Sequence, residues 1–208
     1  MGTRERRERE REEIRTLILD AARDMFIAEG YEAVTMRRIA EKIEYSPTAI
    51  YFHFKDKDAL IHDLCDADFG RLAQEFGPIA KIKDPIERLR RVGYAYAEFG
   101  IKNPNHYRLM FMTPHMACAN EDSRSKKGNP EQDAYAFLHQ TIVEAIGKGR
   151  LRRELKDPEL VSQTMWAAVH GVISLEIAKK NDEWVDWAPL KKRIETMIDV
   201  VVAGIEKE

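Results

Sequence analysis

The sequence predicts an all-α protein, and three observations carry that prediction. Pro47, Pro85, Pro104, Pro114, Pro130 and Pro158 each follow a Ser, Thr, Asp or Asn. That pairing reads as an N-cap followed by proline at the first helical position, where its missing N–H is no loss. Apolar residues recur at three- and four-residue spacing through most of the chain, the signature of one helical face. Strand signals are lacking, with no Asn-Gly or Asp-Gly turn and no alternation of period two between turns.

Each element follows in order. Ile14, Leu17, Ile18, Ala21, Met25 and Phe26 form the apolar face of a first helix, with Gly30 placed to stop it in the left-handed region. Thr35 to Ile43 makes a short second helix with Ile39, Ala40 and Ile43 on one side and Arg37 and Arg38 on another. A third runs from Pro47 to about Phe54 and a fourth from Lys57 to about Leu72. Further helices are expected near 85–102, 104–112, 130–149, 158–180 and 189–206, Pro189 having only Ala188 before it. The polar segment Ala119 to Asn129 reads as an exposed loop. Trp184 and Trp187, in the last connection, are expected to pack a corner.

Composition narrows the function. Among 208 residues, 34 Lys and Arg stand against 36 Asp and Glu, so a generally basic nucleic-acid coat is excluded while a local basic face is not. No apolar run approaches the roughly 18 residues of a membrane span, and the Arg/Glu-rich start lacks the apolar centre of a signal peptide. A cytoplasmic protein with no membrane partner is expected. Cys65 and Cys118, alone and far apart, make neither a disulfide framework nor a metal motif. His106, His115 and Cys118 fit no closed zinc spacing, so no metal and no cofactor are expected. Gly147-Lys148 lacks the upstream glycine of a phosphate loop, since Ile142 stands there. Arg152 stands where a dinucleotide fingerprint needs its third glycine, and Ser174 has no flanking glycines. No catalytic residues are assigned.

The segment from Ile39 to Phe54 carries the function. Two short helices joined by a three- to four-residue turn make a helix-turn-helix. Its second helix presents Ser46, Pro47, Thr48 and Ala49, small enough for the helix end to enter a major groove. There Thr can hydrogen-bond and Ala or Pro can touch a thymine methyl. Tyr51, His53 and Lys57 flank that end, placed for phosphates, and Arg37 and Arg38 join them from the second helix. From Thr35 to Lys57 there are five Lys or Arg against three acids, a local excess in a chain of net charge −2. The rival readings are a helical small-molecule-binding protein without DNA function and an enzyme using a C-terminal cavity.

The stretches ILDAARDMF (18–26), GYEAVTMRRIA (30–40) and SPTAIYFHFKDKDAL (46–60) resemble the N-terminal domain of the TetR family of transcriptional regulators. The resemblance implies a DNA-binding domain over 1–56 and an effector-binding and dimerisation domain over 57–208. It implies that Thr35 caps the second helix and meets a phosphate, that Arg37 reaches backbone or base, and that Thr48 and its neighbours read bases. Tyr51, His53 and Lys57 then clamp phosphates. The family usually has Gly where Glu44 stands, so Glu44 must take the turn's backbone itself. The spacing of Trp166, His170 and Gly171 is similar to a subgroup of the family.

The partners implied are a double-stranded, pseudo-palindromic operator, a small, largely apolar effector, and a second copy of the chain, with repression as the family's habit. The stripes of the last two helices supply a candidate dimer interface of Met165, Ala168, Gly171, Val172, Leu175, Ile194, Met197, Ile198, Val201, Val202 and Ile205. Gly171 would allow close backbone approach. The Met and aromatic residues Tyr94, Tyr96, Phe99, Tyr107, Met110 and Phe111, with Trp166 and His170, are the candidate effector pocket, although such stripes also build plain cores. The arm before Ile14 either reaches a groove or is a solvated helical extension held by i,i+4 pairs, which its alternation of sign favours.

Overall fold

Capping residues before prolines start helices where the spacing predicts. In the computed structural model, which describes residues 3–112 and 126–207, the helices are α1 (Thr3–Glu29), α2 (Met36–Lys42), α3 (Pro47–His53), α4 (Lys57–Phe76), α5 (Pro85–Lys102), α6 (Pro104–Met112), α7 (Ala134–Gly147), α8 (Pro158–Lys179) and α9 (Leu190–Ile205). Asp84 and Asp157 accept from the first-turn amides of α5 and α8. The spacing missed a short 3₁₀ turn, Pro78–Lys81. The sole extended pairing among the described residues is an isolated antiparallel bridge between Leu151 and Glu206.

Two starts differ from expectation. Pro130 opens no helix: the Asn129 side chain accepts from Glu131 N–H and its carbonyl accepts from Gln132 and Asp133, closing a turn. Asp133 then caps α7 through Tyr135 and Ala136 N–H. The last helix begins at Leu190, after Pro189, with no side-chain cap. Pro114, His115, Met116, Cys118 and most of the predicted loop lie outside the described residues.

The chain divides into two compact units, one of Met1–Asp68 and Asn105–Glu121 and the other of Phe69–Pro104 and Asp122–Glu208. The division falls inside α4, twelve residues beyond the boundary expected from the sequence at 56, because the first half of α4 contributes Leu60, Ile61 and Leu64 to the N-terminal core. That core joins Ile18, Ala22, Met25 and Phe26 of α1 to Ile39, Ala40, Ile50 and Phe54 and to Leu109 of α6. Arg23 and Asp68, both buried, bridge α1 and α4 at 3.1 Å, and Asp68 also meets His106 Nδ1 of α6 at 2.7 Å.

In the C-terminal unit α5 packs against α7, α8 and α9. Ile194, Ile198 and Val202, spaced by four, are buried in the core of the single chain, on the side of the last helix that faces its own neighbours. A side chain at Gly93 of α5 would meet Ile198 at 3.2 Å, so Gly93 is where two helices of one chain approach closely. A side chain at Gly171 would meet nothing within 4 Å. Trp184 does not pack a corner, being 92% exposed, whereas Trp187 lies under the Arg193 guanidinium, 5.0 Å from its ring centre.

Candidate nucleic-acid interface

The helix-turn-helix is built from its caps inward. Thr35 Oγ1 accepts from Arg38 N–H to start α2, and Ser46 Oγ accepts from Ala49 N–H at 3.2 Å to start α3. Between them, Glu44 N–H donates to the Glu41 carbonyl and Tyr45 N–H to the Ala40 carbonyl, the paired bonds of a Schellman stop. The residue after the C-cap takes the left-handed region in that motif, and Glu44 sits there at φ 60°. The same pair of bonds ends α7, from Gly149 to Ile146 and from Arg150 to Ala145, with glycine at the left-handed position. Glu44 thus bears a steric cost of roughly 1–2 kcal/mol that Gly149 does not. Glu44→Gly is expected to stabilise the N-terminal unit by up to about 1 kcal/mol, the greater freedom of glycine when unfolded offsetting part of the relief. Urea unfolding measures it.

Ile50 and Phe54 anchor α3 in the core, and the opposite face is open. Ser46, Pro47, Thr48, Tyr51 and Phe52 are exposed and Ala49 is half-buried. The predicted base-reading end of α3 is therefore accessible as a continuous surface. Tyr51 lies exposed at its flank. The Arg11 guanidinium lies 5.4 Å from the centre of the Phe52 ring, so α1 braces α3 from the side.

The cations around this end are not equivalent. Arg37 is exposed and holds only a surface pair with Glu41 at 3.2 Å, the kind worth a few tenths of a kcal/mol and easily traded for a phosphate. Arg38 donates to Glu29 at 2.5 Å and to the Ala33 carbonyl at 2.8 Å, fixing the α1–α2 connection. Lys57 Nζ donates to the Tyr31 and Val34 carbonyls at 2.8 and 3.1 Å and sits 3.9 Å from the Tyr31 ring centre. Two of its three N–H donors are spent inside the chain, a structural role that its flanking position in the sequence did not disclose.

His53 is half-buried, and burial together with the charges of Arg11 and Arg15 lowers its pKa. Near neutral pH it is an uncharged imidazole able to donate one hydrogen bond. Because the folded pKa lies below the unfolded value near 6.5, the folded state binds fewer protons. The stabilising contribution is full above that value and is lost as pH falls through the lowered one. His53→Gln is expected to flatten the pH dependence of stability below about pH 6.5, followed by thermal unfolding across a pH series.

Of the candidate effector residues, the structure brings three together. Trp166 Nε1–H donates to the Tyr96 hydroxyl at 3.0 Å, and that oxygen lies 3.4 Å from His170 Nδ1. Burial lowers the His170 pKa, which keeps the ring neutral. Tyr135, which the sequence did not single out, has its ring centre 5.8 Å from that of Trp166, tilted by 57°, and donates to Glu159 at 2.7 Å. Its pKa rises to about 12 through burial first and Glu159 second. Tyr94 points out of this cluster, as expected two helical positions before Tyr96, and Phe99 is buried in the core. Tyr107, Met110 and Phe111 belong to the N-terminal unit, where Tyr107 is wholly buried and its ring centre lies 4.9 Å from that of Phe111, the rings tilted by 57°.

An open-ended recognition helix on a small helical core, followed by a separate larger helical unit, defines a helix-turn-helix protein with a second domain. The chain belongs to the tetR family of bacterial regulatory proteins: that family's pattern matches residues 18–64, and the pattern of the tetracyclin repressor-like C-terminal domain matches 89–201, over half of the chain. It is similar to the HTH-type transcriptional regulator QacR of Staphylococcus aureus, 25% identical over 164 residues that cover 76% of this chain and 82% of that one. The HTH-type transcriptional regulator UidR of Escherichia coli is 35% identical over 80 residues, so the match spans 38% of the length of that relative. A crystal structure of a TetR family transcription regulator from Marinobacter aquaeolei superposes with a TM-score of 0.75 at 17% identity, covering 98% of this chain and all of that one. No helix among the described residues is long and apolar enough to cross a membrane.

Proposed function

We propose that the chain is a sequence-specific transcriptional regulator, a homodimer that represses from a pseudo-palindromic operator and is released by a small, largely apolar effector. The observation that supports it best is the open N-terminal end of α3, where Ser46, Pro47 and Thr48 stand free while Ile50 and Phe54 hold the helix rigidly. Thr48 and Ala49 read bases. Thr35, Arg37, Tyr51 and neutral His53 bind phosphates, and Lys57 adds its one remaining donor. Arg38 acts mainly by holding the entry to α2.

Dimerisation uses the faces of α8 and α9 that the core leaves open. Leu160, Leu175 and Val200 are 60, 47 and 65% exposed, and Met165, Ala168, Gly171, Val172, Met197, Val201 and Ile205 are half-buried beside them. Two such faces can meet about a two-fold axis. Effector release follows by linkage: a ligand held near Tyr96, Trp166 and His170 that favours the geometry with misplaced recognition helices weakens DNA binding by the same factor.

Selection from random duplex DNA with the purified protein tests this, and an inverted repeat with half-site centres about 34–36 Å apart is the expected product. Thr48→Ala is expected to relax or change one position of each half-site, with a loss of about 1–3 kcal/mol against the preferred base. Recovery of no sequence from ligand-stripped, refolded protein would overturn the proposal. Survival of the preferred site in the Thr48→Ala protein would remove Thr48 as a base reader.

A further inference from the structure

The C-terminal unit holds a second feature that DNA binding and the aromatic cluster do not use. Where α7 ends, the chain turns at Gly149 and pairs with its own C-terminal segment. Arg152 N–H donates to the Ile205 carbonyl and Lys207 N–H to the Arg150 carbonyl, about the Leu151–Glu206 bridge. This pairing closes a depression of about 330 Å³, within the range of small-molecule sites. Ile146, Leu151 and Leu155 give it an apolar floor, and Arg152, Arg153, Lys156 and Lys207 are its charged lining.

The charge of that lining is uncompensated. Arg88, Arg90, Arg91, Arg150 and Arg193 of the same unit are all in ion pairs. The four cations of the depression have no acidic partner among the described residues, and no acid lines it. The nearby carboxylates are otherwise placed, Glu206 on Arg150 and Asp157 on the first turn of α8, while Glu154 is exposed outside the lining. In a chain of net charge −2, four like charges around one recess are mutually repulsive until an anion sits among them.

We infer that this recess is a binding site for a small organic anion, with a phosphate or carboxylate head between Arg152, Arg153, Lys156 and Lys207 and a short apolar body on Ile146, Leu151 and Leu155. Guanidinium groups suit such heads because their N–H donors match paired oxygens. The concave apolar floor favours a small molecule over a nucleic-acid backbone, which would need only an exposed basic surface. The site is separate from the Tyr96–Trp166–His170 cluster and stands whether or not that cluster holds an effector.

Calorimetric titration of the full chain tests it with n-octyl phosphate, n-octanoate, inorganic phosphate, 1-octanol and a duplex of scrambled sequence. The two octyl anions are expected to bind, inorganic phosphate more weakly, and any octanol binding to be independent of these four cations. The R152A/R153A/K156A/K207A protein is expected to lose about ten-fold or more in octyl anion affinity, added salt to weaken binding in the parent, and Arg91→Ala, at an exposed cation outside the recess that is paired with Glu87, to leave it unchanged. Should the quadruple variant not fold, the exposed single reversal Arg153→Glu carries the same expectation. Equal octyl anion affinity in these variants, octanol binding that the quadruple variant weakens as much as it weakens the octyl anions, or no octyl anion binding would overturn the site. Loss of scrambled-duplex affinity with octyl anion binding intact would reassign the cations to a nucleic-acid backbone.

Discussion

Asp68→Ala is expected to destabilise the N-terminal unit by about 3–5 kcal/mol, the usual consequence of removing one partner from a buried ion pair. Asp68 is wholly buried and its two oxygens accept from Arg23 Nη2 and Nε at 3.1 and 3.3 Å. Without it, the Arg23 guanidinium, itself 4% exposed, keeps only the solvent-facing Asp20, and His106 loses its 2.7 Å contact. The pair need not be stabilising relative to an apolar replacement. An Arg23→Met/Asp68→Leu protein should therefore recover much of the loss, and together with the parent and the Arg23→Met and Asp68→Leu single variants it completes a double-mutant cycle read by urea unfolding. If Asp68→Ala unfolds within about 1 kcal/mol of the parent, the bridge is not what holds α1 to α4.

Lys57→Met is expected to show two separable effects. Its ammonium holds the Tyr31 and Val34 carbonyls and lies against the Tyr31 ring, while Tyr31 donates to Asp58. Loss of two charge-assisted bonds to the connection between α1 and α2 costs about 2–3 kcal/mol of stability. If the remaining donor meets a phosphate, the slope of log affinity against log salt falls by about one as well. A stability loss with an unchanged salt slope would confine Lys57 to holding the turn.

The sequence discloses most of what capping chemistry and periodicity govern. Ser46-Pro47, Asp84-Pro85 and Asp157-Pro158 start helices as read, because a side-chain acceptor and a preset φ act locally. Asn129-Pro130 misleads for the same local reason: asparagine closes a turn on its own backbone as readily as it caps a helix, and Asp133 four residues later does the capping. Glu44 is legible by its departure from the family's glycine, and the structure puts it at the left-handed position.

What the sequence conceals depends on the partner that a face meets. The stripe on α9 is real, but its Ile194, Ile198 and Val202 serve the chain's own core while Val200 faces outward. Periodicity reports that a face is apolar and is silent on whether another chain or another helix covers it. The basic flank of α3 shows the same limit. Arg37, Arg38 and Lys57 look alike in sequence, yet only Arg37 is held by nothing stronger than an exposed pair. In the recess Arg152, Arg153 and Lys156 are close in sequence, but Lys207 comes from some fifty positions away, and no local pattern discloses that it joins them.

The length of α1 has a consequence for how the protein opens. At about 1.5 Å per residue its 27 residues make a rod of roughly 40 Å, yet Arg4–Glu13 are exposed and the first residue to pack on the core is Ile14. The outer turns are carried by pairs such as Arg4 with Glu8 and Arg6 with Glu10, in the weaker order for a helix. A segment of that length scarcely persists alone. Amide hydrogens along this one helix should therefore exchange on a steep gradient, the outer ones within the dead time and those past Ile18 only on global unfolding. The melting front halts near Arg11, where the guanidinium rests on Phe52 of α3.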